Sequence, residues 1–195
     1  MITIFLAGYE TVANALTWTW YLLSQNPKAE ARLHSELREV LKGRDPTFDD
    51  LSKLCYAEMV LAESMRIYPP AWAMGRKARR DFSLGPYNLP KNTTVLMSQF
   101  LMHRNAKYFP DPLRFDPQRF SAHAKAARPK CVYFPFGAGP RQCIGESFAW
   151  MESVLVLSVI AQKWRLQLEP SHRVEPQPLI TLRPKYGMRM RFERR

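Results

Sequence analysis

The residues best placed to do chemistry form one short stretch, Phe136-Gly137-Ala138-Gly139-Pro140-Arg141-Gln142-Cys143-Ile144-Gly145. Two glycines and a proline bend the backbone ahead of the cysteine, and the apolar run from Glu146 to Trp164 predicts a long helix behind it. A thiol at that point faces the unpaired N–H groups and positive end of a helix, with the Arg141 cation two residues away. Such surroundings favour thiolate chemistry, so Cys143 is a candidate metal ligand or nucleophile. A free cysteine more often packs as a small hydrophobe, but the aromatic start, the glycine spacing and the cation together argue against coincidence.

A second candidate lies in Ala7-Gly8-Tyr9-Glu10-Thr11, inside an apolar run from Met1 to Leu23 that reads as a helix buried on nearly all sides. Glycine destabilises a helix interior by roughly 0.5 to 1 kcal/mol relative to alanine, which calls for a reason such as close approach of a flat ligand. Glu10 and Thr11 then place an acid and a hydroxyl in a largely apolar setting. The bland reading is a threonine bonded back to the preceding turn and a glutamate reaching for solvent. Glu63 and Arg66 stand three apart on a third predicted helix, Tyr56 to Ile67. His103 sits alone and reads as a structural histidine rather than a metal ligand.

The cysteine stretch resembles, position for position, the haem-thiolate loop of the cytochrome P450 family: phenylalanine, glycine, any residue, glycine, any residue, arginine, any residue, cysteine, any residue, glycine. The resemblance extends to Ala7–Thr11, to the pair Glu63 and Arg66, and to Arg119 within Phe115-Asp116-Pro117-Gln118-Arg119-Phe120, in the family's order. It implies a mainly α fold with small β-sheets, the carboxyl-terminal part of the cytochrome P450 fold, running over residues 1–195 from the central distal helix through the haem-thiolate loop. It further implies a monooxygenase that inserts one oxygen atom into an apolar organic substrate. The alternative is a truncated, inactive haem-binding or protein-interaction piece.

By the same resemblance Cys143 is the axial ligand of haem b iron, with electrons drawn from NAD(P)H through a ferredoxin or flavoprotein reductase. Phe136, Gly137, Gly139 and Gly8 would border the haem, and Arg141 and Arg76 would pair with its propionates. Thr11 would bond bound dioxygen and Glu10 would share in proton delivery. Ala7, Ala71, Trp72 and Ile180 would line the substrate pocket. Glu63, Arg66 and Arg119 would form a buried charge network.

The elements that must hold these groups follow from pattern. A helix from Lys28 to Leu41, entered through Pro27, keeps Leu33, Leu37 and Leu41 at helical spacing. Asp45–Asp50 reads as a loop with room for a short turn, Asp81–Gln99 as one small sheet with strands at Phe82–Leu84 and Thr93–Met97, and Phe100–Asn105 as a helix. Prolines make 107–135 irregular, and the tail from Arg165 reads as strands and hairpins.

Composition bounds the rest. With 195 residues and 46% hydrophobic content the chain can bury a core. Lys and Arg number 29 against 17 Asp and Glu, a net charge of +12, but the basic residues are scattered without a nucleic-acid pattern. An acidic redox partner fits that charge better, with Lys125, Arg128 and Lys130 the expected contacts. Three cysteines form no disulfide framework; Cys55 and Cys131 read as structural, and a cytoplasmic, bacterial-type protein is expected. The family's amino-terminal half has no counterpart here, which leaves a piece of a longer gene, a wrongly chosen start, or a shortened protein that folds with another chain.

Overall fold

In a computed structural model that describes residues 2–195, six helices carry four two-stranded ladders on their flanks. Helix α1, Ile2–Gln25, runs through the centre; α2, Pro27–Leu41, and α3, Cys55–Ile67, follow it; and α6, Glu146–Lys163, closes the bundle. The core is where these four meet, around Leu23, Leu33, Leu37, Leu41, Leu61 and Leu157. Trp18 of α1 stacks on Tyr68 at 4.0 Å between ring centroids. Met1, with which the first predicted helix begins, lies outside the described residues.

Local chemistry accounts for the helix ends. Pro27 occupies the first turn of α2, and Lys42 closes it at φ 50°, ahead of Gly43 at φ 87°. Helix α3 lacks a capping side chain of its own; the Glu36 carboxylate of α2 accepts the N–H groups of Tyr56 and Ala57 at 2.6 and 2.9 Å instead. The short turn expected within 45–50 is a 3-10 turn over Phe48–Lys53, closed by a Thr47–Asp50 capping box and the Arg44–Asp50 ion pair at 2.6 Å.

The β regions differ from the sequence reading. Strand β1, Met74–Lys77, is not legible from its mixed apolar and basic residues; it pairs antiparallel with β4, Thr94–Met97. Strands β2, Phe82–Leu84, and β3, Tyr87–Leu89, make a separate hairpin, so the one expected sheet is two ladders. The helix expected over Phe100–Asn105 is α4, Gln99–Met102, capped by Ser98 Oγ, and His103 stands at its end. Within the irregular 107–135 stretch a 3-10 turn forms at Pro117–Phe120 and helix α5 at Ala122–Ala127. In the tail, β5, Trp164–Leu168, pairs with β8, Met190–Arg194, and β6, Pro176–Pro178, pairs with β7, Leu182–Pro184.

The expectation that α1 is buried on nearly all sides holds from Asn14 to Ser24, where every residue is buried or half-buried. Phe5, Ala7, Gly8, Tyr9 and Glu10 are exposed, because the elements packed on α1 meet its second half. No helix of the described residues is long and apolar enough to cross a membrane.

Candidate active site

Cys143 ends an extended turn just before α6. The loop folds on itself through three backbone bonds: Gly137 N–H to Phe134 O, Gln142 N–H to Gly139 O, and Cys143 N–H to Phe136 O. Gly137 and Gly139 take φ of 77° and 73°, a left-handed backbone that a side chain resists. Phe136 anchors the loop against Trp150 of α6 at 5.7 Å between centroids. The thiol of Cys143 is exposed and makes no hydrogen bond among the described residues. Arg141 is exposed one turn ahead of it, and Gln142 donates to Glu146 in the first turn of α6.

A buried network holds this loop from behind. Arg66, fully buried, uses all five of its donors: Nε and Nη2 to the two Glu63 oxygens at 2.6 and 2.8 Å, and the rest to the carbonyls of His103, Pro112 and Arg114. Glu63 also accepts the Asp116 N–H at 2.9 Å and faces Arg119 Nε at 3.5 Å. Burial pushes the Glu63 carboxyl up, against the pull of Arg66. His103 is buried too, its Nε2 accepting the Phe134 N–H at 3.0 Å, and burial holds its ring down at about 3, neutral as an acceptor must be. The network thus reaches the cysteine turn through His103 and Phe134.

On α1 the hydroxyl of Thr11 donates back to Ala7 O at 2.7 Å, which leaves its lone pairs as acceptors. A methyl group built on Gly8 would meet no atom within 4 Å. Glu10 is not simply solvated: it accepts from Thr181 Oγ1 at 2.8 Å, and Asn14 Nδ2 donates to the same Thr181 oxygen at 3.1 Å. Sequence reasoning singled out Ile180 and not its neighbour Thr181; nothing local in sequence links Thr181 to Glu10, 171 positions away.

Contacts run on from that turn to the cysteine loop. Trp72 Nε1 donates to Leu179 O at 2.8 Å, Leu182 N–H donates to Pro70 O, and two residues past Trp72 the Met74 side chain meets Gly137. A methyl on Gly137 would stand 3.3 Å from Met74 Cε. The segments of Glu10, Trp72, Ile180 and Cys143 are therefore linked by a chain of contacts. Ala71 and Trp72 are half-buried, while Ile180 is 96% exposed. Arg76 is exposed on β1, and its guanidinium bonds only Gly75 O among the described residues.

The expected partner-facing cations need correction. Lys125 is paired with Glu58 at 2.6 Å, and Arg128 is half-buried over the rings of Phe109, Phe120 and Tyr133, donating to Arg119 O. Only Lys130 of the three stands exposed without such contacts among the described residues. Cys55 and Cys131 are exposed rather than buried in the core.

No group of three or more His, Cys, Asp or Glu side chains that could hold a metal occurs among the described residues. Cys143 offers one soft sulfur ligand, which suits iron carried in a macrocycle. An open thiol and two guanidinium groups without carboxylate partners fit such a group and its acidic side arms.

A sequence profile described as "Cytochrome P450" matches residues 1–190. Cyclooctatin synthase of Streptomyces melanosporofaciens is 42% identical over 182 residues, 93% of this chain and 40% of that protein. Pentalenene oxygenase of Streptomyces avermitilis is 38% identical over 195 residues, 100% of this chain and 43% of that protein. A crystal structure of a cytochrome P450, CYP102L1, superposes with a TM-score of 0.91 at 31% identity, covering 99% of this chain and 44% of that one. The chain thus spans about two fifths of the length of these relatives. With the helical architecture, the cysteine turn and the buried network on which it rests, these matches place the chain in the cytochrome P450 family.

Proposed function

We propose that the protein is the carboxyl-terminal part of a haem-thiolate monooxygenase acting on an apolar organic substrate. The observation that carries this reading is the exposed Cys143 thiol, presented by a glycine turn and bonded to nothing else among the described residues. Haem b bound there would supply activation of molecular oxygen, one atom going to substrate and the other to water with two electrons and two protons. Cys143 would hold its iron through the thiolate sulfur. Phe136, Gly137 and Gly139 would fix the direction of that sulfur, Gly8 would keep the facing side of α1 free of side chain, and Arg141 and Arg76 would hold the carboxylate arms.

Glu10 and Thr11 bring an acid and a hydroxyl to successive positions on α1, the groups a proton route requires. Since the Thr11 hydrogen is engaged by Ala7 O, the threonine serves as acceptor unless that bond is exchanged. Ala7, Ala71, Trp72 and Ile180 supply apolar lining, and the similarity to pentalenene oxygenase makes pentalenene the first substrate to try. Electrons come from NAD(P)H through a ferredoxin or flavoprotein, with Lys130 among the cations open to an acidic partner.

The test is oxygen-18 incorporation. Haem-loaded protein given a reductase system, labelled dioxygen and pentalenene is expected to place one labelled atom in product, and Thr11→Val to lower product per oxygen consumed. Haem uptake without labelled product would favour the second reading, a haem-binding piece without turnover. The open surface around Ile180 and Phe5 supports that alternative.

A further inference from the structure

The turn between β6 and β7 carries two neighbours of opposite exposure: Ile180 is 96% exposed and Thr181 is 7% exposed. A threonine buried beside a bare isoleucine is held by something, and its contacts show what. Thr181 Oγ1 receives a hydrogen from Asn14 Nδ2 at 3.1 Å and gives its own to Glu10 Oε1 at 2.8 Å. Because the contact from Asn14 is made by Nδ2, which can only donate, the single hydroxyl hydrogen of Thr181 is left for Glu10. The two α1 residues are four apart and so lie on one face of the helix. Glu10 enters no ion pair among the described residues, which leaves Thr181 as the contact that sets its rotamer.

The turn is itself rigidly placed. Leu179 O accepts from Trp72 Nε1, Leu182 N–H donates to Pro70 O, and Leu182 O accepts from Trp18 Nε1 at 3.0 Å. Thr181 therefore stands in a fixed frame, whereas Glu10 sits on the exposed first half of α1 with several staggered side-chain positions open to it.

We infer that Thr181 is a positioning residue for the Glu10 carboxylate, with Asn14 fixing the direction of its hydroxyl. The consequence is that the acid of α1 and the turn bearing Ile180 move as one unit, so a substrate pressing on Ile180 also bears on the proton route. This deepens the proposed function and rests on it for the role of Glu10; the tie itself is a contact within the chain.

Two readouts separate those layers. The first needs no haem: in protein labelled with carboxyl-carbon-13 glutamate, the Glu10 resonance is identified by its loss in Glu10→Ala. Thr181→Val and Asn14→Ala are expected to move that resonance, and Thr181→Ser to leave it at the wild-type position. A resonance unmoved in both Thr181→Val and Asn14→Ala overturns the inference. The second is product formed per oxygen consumed in the haem-loaded protein. Thr181→Val is expected to lower it about tenfold, the equilibrium equivalent of one hydrogen bond to a charged group, with Thr181→Ser restoring it. In a Glu10→Ala background Thr181→Val should do nothing more; an equal further loss there overturns a role exerted through Glu10. If no haem-loaded variant makes product, the proposed function fails and the carboxyl resonance still decides the contact.

Discussion

Replacing Arg66 with methionine removes the one cation that touches both oxygens of the buried Glu63 carboxylate. What remains is the Asp116 N–H at 2.9 Å and Arg119 at 3.5 Å, too little for a charge with no exposure. Breaking such a pair by taking away one partner costs about 3 to 5 kcal/mol, because the other charge stays inside. Glu63→Leu should cost a similar amount by stranding the guanidinium. The double variant, Glu63→Leu with Arg66→Met, leaves neither member of the fully buried pair charged and keeps only Arg119, which reaches solvent. It still strips donors from the carbonyls of His103, Pro112 and Arg114, at about 1 kcal/mol net for each bond, or about 3 kcal/mol in all. The double variant is thus expected to be no worse than either single, against about 6 to 10 kcal/mol if the two effects merely added. Urea unfolding followed by far-ultraviolet circular dichroism measures all three. Additive losses would refute the coupling, and a loss below about 1 kcal/mol in Arg66→Met would refute the claim that the charge is stranded. Since the network reaches Phe134 through His103, each single variant should also weaken haem retention at Cys143.

Acid sensitivity follows from two buried histidines. Burial depresses His34 to about 4 and His103 to about 3, below the ordinary 6.5, so the unfolded chain binds their protons first. Their contribution is intact above pH about 6.5 and is lost as pH falls towards those values, at up to about 1.4 kcal/mol per pH unit for each group. Urea midpoints should drop from pH 7 to pH 5, and less so in His34→Gln; equal drops in both would contradict this. Gly137→Ala forces a side chain into φ 77° and against Met74, at a cost of about 1 to 2 kcal/mol, and should reduce haem affinity; unchanged affinity and melting would show that the turn tolerates a side chain.

The helices were legible because leucine spacing, Pro27 and the Tyr68-Pro69-Pro70 stop are local signals. The cysteine turn was legible for the same reason: its glycines and its thiol are neighbours in sequence. What escaped depends on partners far along the chain. Strand β1 exists through pairing with β4, and Arg128 reads as a surface cation until Phe109, Phe120 and Tyr133 close around it. The capping of α3 by Glu36 and the bond from Thr181 to Glu10 likewise join residues with no shared periodicity. Exposure of the first turns of α1 was hidden too, since an apolar run reads as buried whether or not anything covers it.

The central claim, that Cys143 supplies the axial sulfur of a bound haem, is tested most directly by the absorbance spectrum of haem-reconstituted protein after reduction and carbon monoxide addition, recorded beside Cys143→Ala. A strongly red-shifted Soret band in the parent and its absence in Cys143→Ala is the predicted result. The same band position in both proteins, or no haem uptake by the parent, would contradict it.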